Sequence, residues 1–485
     1  MTVDSSKVLE RLGQGEILRG EDLRELHLEK AVLVGARLPE CNLASARLMG
    51  AELNNSDLTG ANLEGADLRY CDLREVQLQG AKLIGARLSR AQVDGIHLEG
   101  ADLGGVEIDR AVFAAATLAS SRWVEAVLND VDFSKVTGID GADFSEADMD
   151  SVLFPGLTLK AISFRDGQLR LVSFLKTRLS DVDFAGCRFS RVTLDRATGH
   201  GLRFREVRCV NCTFREADLE GADFVGAAFE TCDLSEARLT GADLKKISAN
   251  RYSIFKNVVI DESDLSGATL DGTDFSGASL RKVKLDGTSL RGCDLTGCNL
   301  EGADLSGAVI DGANFSRAKL KDAIIPPEMF SGRELILEGL DLEGISIEGG
   351  SFRGVVWCGV KLGGARLLRA DFQDADLSGA DFSGADLTGA DFQRADLSNA
   401  RFAGACLKDV DLREANLRGA ELNGATLAGS NASWKDVRKS IFGPETLIGL
   451  TLHGEISGIP QKALPGAFEV KKNLAAVLHR MRNEE

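Results

Sequence analysis

Between Leu23 and Phe133 every fifth residue is apolar, and the count resumes over residues 139–244, 255–325 and 337–427. These runs hold 23, 22, 15 and 19 such positions, and 78 of the 79 are apolar against 44% for the chain, so the pattern is imposed. Only Gly199 departs from it. A period of five fits neither the roughly 3.6 residues of a helix turn nor the roughly 2 of a strand, so it marks an internal repeat.

The residue two before each large one is small, as at Ala51, Ala61, Ala66 and Cys71, and again at Ala370, Ala375, Ala380, Ala385, Ala390 and Ala395. A polar residue, often Asp or Asn, separates small from large. Two inward positions alternating across an outward one read as a short strand. The remaining pair, commonly ending in Gly, turns the chain, because Gly takes the positive φ of a type II turn. One unit cannot bury its own face, whereas stacked units share a continuous core.

The A(D/N)LxG unit, almost invariant over 379–427, resembles that of the pentapeptide repeat proteins. The resemblance covers most of the chain and implies an all-β solenoid: a right-handed quadrilateral parallel β-helix with four units per coil. About function it says little. The residues themselves support this coil: at a spacing of 20, Phe144, Phe164, Phe184, Phe204 and Phe224 fall in one column, Phe372 under Phe392, and Phe382 under Phe402. Of 23 Phe, 20 occupy the large core position, a sorting that makes sense only if the residue one circuit away is a contact. At roughly 4.8 Å per rung, about 20 coils make a rod of about 95 Å.

The organisation expected is a capping segment at 1–20, β-helix segments at 21–133, 139–244, 255–325 and 337–427, a loop insertion at 326–336, and degenerate coils with a terminal helix at 428–485. The register slips by one residue after Phe133, by one after Leu244 and by two after Ile325, and each slip should be a bulge or loop. The insertion carries Met329 and Phe330, which either fold back onto a coil edge or form an interaction site, since function in repeat proteins often sits on insertions. Solenoid ends need covers. Residues 5–12 read as a helix with Ser5 or Ser6 as N-cap and Gly13 as stop. Residues 467–483 read as another, with Leu474, Val477, Leu478 and Met481 on one face, for capping or for end-to-end dimerisation of the kind family members show.

Seven of the ten cysteines (Cys41, Cys71, Cys187, Cys212, Cys232, Cys293, Cys298) take the small core position and Cys209 the large one, as buried Cys usually does. Cys209 and Cys212 have zinc-like spacing but lack a second pair, so no metal is expected. Cys358 and Cys406 fall on outward positions. The five His show no ligand spacing, and no GxSxG, HExxH or phosphate-loop motif occurs. The Asp and Glu read as surface decoration of the repeat. No catalytic residue and no cofactor is expected. No apolar run is long enough for a membrane span and the start lacks a signal peptide's features, so a cytoplasmic protein, or one exported without a cleavable signal, is expected.

The net charge of −17 raises DNA mimicry, since some pentapeptide repeat proteins bind DNA gyrase that way and protect it from inhibitors. Mimicry needs one sign of charge along a face. The columns Asp341–Lys361–Asp381–Arg401–Glu421 and Arg47–Asp67–Arg87–Glu107 alternate instead, and only Asp371, Asp391 and Asp411 form an acidic line. Residues 160–215 hold 12 Lys+Arg and 5 Asp+Glu, beside 8 acidic and one basic residue at 216–243. Arg188 and Arg208 are 20 apart, as are Lys176 and Arg196, so basic residues should stack on one another. Arg165, Lys176, Arg188, Arg196, Arg205 and Arg208 then form either a solvated band or a dock for an acidic protein surface; nucleic acid is not expected, for want of exposed aromatics. The stretch VLERLGQGEILRGEDLRELHL is similar to the start of repeat arrays in type VI secretion accessory proteins. The expected function is a non-enzymatic protein-interaction scaffold, with a secretion adaptor, chaperone or co-effector as the specific role and a gyrase-binding DNA mimic as the alternative.

Overall fold

The computed structural model describes residues 4–325, 339–453 and 468–483. The chain divides into two compact units, Met1–Phe255 and Lys256–Glu485.

In the first unit, Ile17 bridges Arg37, Asp22 bridges Asn42, His27 bridges Arg47 and Val32 bridges Glu52, all in parallel. Four ladders in steps of twenty make a parallel β-solenoid with four units per turn. The second unit repeats the spacing, as in Asp376–Asp396–Asn416 and Asp381–Arg401–Glu421. The slips enlarge single turns. Thr117 bridges Gly138 and Asp233 bridges Ile254, each one residue more than twenty, and Lys319 bridges Asp341, two more. The insertion with Met329 and Phe330 lies outside the described residues. The solenoid has about 16 turns, slightly fewer than the twenty expected.

At most corners the small residue's N–H donates to the carbonyl of the preceding large residue, as from Ala61 to Leu58 and from Ala66 to Leu63, both at 3.0 Å. The third turn residue has positive φ, at Gly60 (68°) and Gly65 (64°) but equally at Lys30 (57°), Asn55 (62°) and Tyr70 (59°). Glycine is therefore favoured there without being the cause of the turn. The rungs above and below impose it, against a left-handed penalty of roughly 1–2 kcal/mol per non-Gly residue.

Inside, the rings stack as the twenty-residue spacing requires. Centroids are 5.4 Å apart for Phe144–Phe164, 5.1 Å for Phe164–Phe184, 5.0 Å for Phe184–Phe204 and 4.5 Å for Phe204–Phe224. In the second unit Phe372–Phe392 lie at 4.9 Å and Phe382–Phe402 at 5.0 Å.

Helices α1 (Ser5–Gly13), α2 (Trp434–Val437) and α3 (Lys472–Asn483) lie near the ends of the sequence. The N-cap of α1 is Asp4, not Ser5 or Ser6: its carboxylate accepts from the Ser6 N–H at 3.0 Å, and a carboxylate suits a helix N-terminus better than a hydroxyl. Arg11 clamps the helix to the first coil through Glu16 (2.6 Å) and Glu21 (2.7 Å). At the other end the expected helix over 467–483 begins only at Lys472. The residues before it form the strand Phe468–Glu469, which pairs antiparallel with Thr451–His453. That strand covers the edge of Thr451–His453, a task no helix could perform by backbone pairing.

Candidate functional site

The faces of the first unit are not alike. At the corner holding residues 142, 162, 182, 202 and 222, Ala142 and Ala222 make the turn bond at 3.1 Å, whereas Ile162, Val182 and Leu202 make none. Size in the small position does not decide this alone, since Val76, Val106 and Val207 keep the turn bond at 3.3, 3.1 and 3.3 Å. The segments before the open corner become three-residue strands, Thr158–Lys160, Arg178–Ser180 and Thr198–His200, in place of single bridges. Leu202 also explains Gly199. A Cβ on Gly199 would lie 2.5 Å from the Leu179 carbonyl oxygen and 2.9 Å from Leu202 Cδ1, so large and small have exchanged places.

A second corner, with Val152, Val172, Val192 and Cys212 stacked in its small position, opens in the same way. It widens an eight-stranded parallel sheet that includes Asp148–Asp150, Gln168–Arg170, Arg188–Ser190, Arg208–Val210 and Ala228–Glu230. On this sheet lies a groove of about 730 Å³. The column Asp148, Gln168, Arg188, Arg208 runs through it in register, beside Asp150, Arg170, Ser190, Val210 and Glu230. Arg170 pairs with Asp150. Arg188 and Arg208, both exposed, have no ion-pair partner among the described residues.

Of the basic residues singled out in the sequence, the structure brings only Arg188 and Arg208 together in this groove. Arg165 is exposed at a different corner. Lys176 and Arg196 line a separate depression with Arg215, Asp195 and Glu216. The expectation that basic residues stack on one another fails there: Arg196 binds Glu216 at 2.9 Å, Arg215 binds Asp195 at 3.1 Å, and Arg205 reaches Asp223 at 2.6 Å. The reason is that long corner side chains reach acids on the neighbouring rung. The hydrogen bond from Arg196 holds the Glu216 carboxyl below its usual range. Asp148, Gln168, Ser190 and Glu230 were not singled out; steps of twenty from Arg188 and Arg208 reach Asp148 and Gln168, and the column two residues on holds Ser190 and Glu230.

On α3, Leu478 is buried, Leu474 half-buried and Val477 exposed, while Ala475 shares the buried side; the Met481 side chain lies outside the described residues.

The outward carboxylates of the second unit are not decoration. Asp376, Asp381, Asp386 and Asp396 each accept from the backbone N–H two residues on, at 3.1, 3.0, 3.2 and 2.9 Å, locking the following corner as an Asx turn. Asp371, Asp391 and Asp411 do the same, and Gln373 and Gln393 bridge them along the line at 2.6 and 2.8 Å. The alternating column is paired as its signs suggest: Lys361 to Asp341 at 3.5 Å, Arg401 to Asp381 at 3.5 Å and to Glu421 at 3.9 Å.

The eight inward cysteines are buried, Cys358 is exposed and Cys406 is half-buried. Burial pushes the Cys187 and Cys298 thiols up to about 12. Among the described residues no group of His, Cys, Asp or Glu is arranged to hold a metal ion, and no helix is long and apolar enough to cross a membrane.

Comparison with known families matches this chain to the one described as Pentapeptide repeats, in overlapping stretches spanning 17–100, 212–247, 261–325 and 365–442, more than half of the chain. No curated protein matches it. Among solved structures it is similar to a trypsin-treated variant of QnrB1, a plasmid-mediated fluoroquinolone resistance protein, at 20% identity over 44% of this chain and 89% of that one, with a TM-score of 0.23. HetL of the cyanobacterium Nostoc sp. strain PCC 7120, a pentapeptide repeat protein involved in heterocyst differentiation regulation, is 21% identical over 70% of this chain and 96% of that one, with a TM-score of 0.12. The alginate lyase AlyGC is 10% identical over 93% of this chain and 88% of that one, at 0.18.

Proposed function

Because the chain belongs to the pentapeptide repeat family, we propose that it is a non-enzymatic scaffold that binds another protein, and that the groove of the first unit docks an acidic surface of that partner. The observation that carries this is the Arg188–Arg208 pair: two guanidinium groups one rung apart, without an ion-pair partner among the described residues, in a groove of a chain whose net charge is −17. Like charges about 5 Å apart repel, so an arriving carboxylate relieves a cost already present in the free protein. The opening segment, with its resemblance to type VI secretion accessory proteins, makes an adaptor, chaperone or co-effector of a secreted toxin the specific role. Val477, exposed on α3, is the candidate contact for end-to-end self-association.

The test of docking uses a fluorescent polyglutamate peptide and the full chain. Binding should weaken by at least about tenfold in the Arg188→Gln/Arg208→Gln variant, the value of about one charge-assisted hydrogen bond. Unchanged binding would remove the groove from the proposal. Gyrase mimicry has the acidic line Asp371–Asp391–Asp411 in its favour, but those carboxylates are engaged by their own turns and by Gln373, Gln393 and Arg413. The protein should therefore leave gyrase supercoiling as sensitive to a quinolone as before, and protection would reinstate mimicry.

A further inference from the structure

The groove has a charge order, and the order narrows the ligand. Along it stand Asp148, then Gln168, then the Arg188–Arg208 pair, and on the next rung Glu230. Asp148 and Glu230 have no ion-pair partner among the described residues, whereas the Asp150 carboxylate is taken up by Arg170. The groove thus reads minus, plus two, minus. A long polyanion would meet a carboxylate on leaving the basic pair in either direction, so the site suits one compact dianion.

The spacing supports the same conclusion. Arg188 and Arg208 are in direct register, about 4.8 Å apart at the backbone. Side chains on one side of an extended peptide are about 6.6–6.8 Å apart, so two successive carboxylates do not match the pair. A phosphate carries a charge of about −1.5 to −2 on three acceptor oxygens around one atom, and can take a guanidinium on each side. The Ser190 hydroxyl and Gln168 amide, both lining the groove, offer neutral donors beside it.

Resting on the groove as a docking site, we propose that its occupant is a protein segment bearing one phosphorylated side chain flanked on both sides by basic residues. The phosphate sits between Arg188 and Arg208, and the basic flanks face Asp148 and Glu230.

The test titrates the full-length protein against a short labelled peptide with a central phosphoserine and an arginine on either flank. Its unphosphorylated form, a version with acidic flanks, polyglutamate and single-stranded DNA serve as comparisons. The basic-flanked phosphopeptide should bind tightest and lose at least about tenfold in Arg188→Gln/Arg208→Gln, while Arg165→Gln, which removes a charge outside the groove, should leave it unchanged. Glu230→Lys should weaken the basic-flanked phosphopeptide and strengthen the acidic-flanked one. Melting temperatures equal to that of the unaltered protein verify folding of these surface variants. Equal binding of phosphorylated and unphosphorylated peptide, indifference to Glu230→Lys, or tighter binding of DNA each overturns the inference. If polyglutamate still depends on the arginine pair, docking of an acidic protein survives without the phosphate. If no anionic probe depends on the pair, both readings fall.

Discussion

The stretch from Phe144 to Glu230 and the stretch from Ala365 to Leu427 are built from one repeat, yet they differ in face and in use of charge. In the second, Ala fills nearly every small position, corners close with a turn bond, and outward Asp residues are spent locking those corners. In the first, Val, Ile and Leu enter the small positions, corners open, and the outward positions carry Arg, Gln and Thr on a flattened sheet. The wide faces coincide with runs of bulky inward residues, although single ones such as Val76 and Val106 keep a closed corner, and the outward residue is released for binding only where the turn does not need it.

Both stretches rest on stacked rings, and removing a ring should have the largest effect. Phe184→Ala, between Phe164 and Phe204, should cost about 3–5 kcal/mol in denaturant unfolding. Phe382→Ala, with a stacked ring on only one side (Phe402), should cost less. An equal loss would mean that ring stacking adds nothing beyond burial.

The exchange of size at Gly199 and Leu202 gives a sharper test. Gly199→Leu forces a side chain against the Leu179 carbonyl and should cost about 1–3 kcal/mol, the usual range for overpacking. Adding Leu202→Ala removes the contact with Leu202 Cδ1 and should recover part of that cost, the contact with Leu179 remaining. A double variant no more stable than the single one would show that Leu202 does not fill the space left by Gly199.

For the second stretch, Asp381→Ala should lose about 1 kcal/mol with the Asx bond, and Asp381→Asn, which keeps the acceptor, should lose much less. If Asn is as damaging as Ala, the ladder charge to Arg401 matters more than the turn.

The smallest effect concerns pH. The hydrogen bond from Arg394 lowers the Asp374 carboxyl below its usual range, so folding binds fewer protons there than the unfolded chain does. Its contribution is present above the ordinary carboxylate range and lost as pH falls through the lowered value. Arg394→Gln should therefore melt slightly lower than the unaltered protein at neutral pH, with the gap closing in acid.

The chain of identical spacings made the winding legible from residues alone: the Phe144-to-Phe224 column, the slips after Phe133, Leu244 and Ile325, and the inward cysteines all follow from counting. The N-cap at Asp4 and the edge-closing strand Phe468–Glu469 did not, because both depend on which backbone groups are left unpaired once the coils have formed. The site was half legible. Arg188 and Arg208 could be placed together by their spacing, but whether a given arginine is free depends on how far its side chain reaches. Among the described residues Arg196 and Arg205 find acids and Arg188 and Arg208 do not.

Sequence alone determined the period, the circuit of twenty and the inward positions of the repeat, because burying a repeated apolar face admits one solution for a unit too short to fold by itself. Tertiary structure decided which corners open, which carboxylates are consumed by their own turns and which charges remain available. These outcomes depend on contacts between rungs and on side-chain reach, and neither is written in a single repeat.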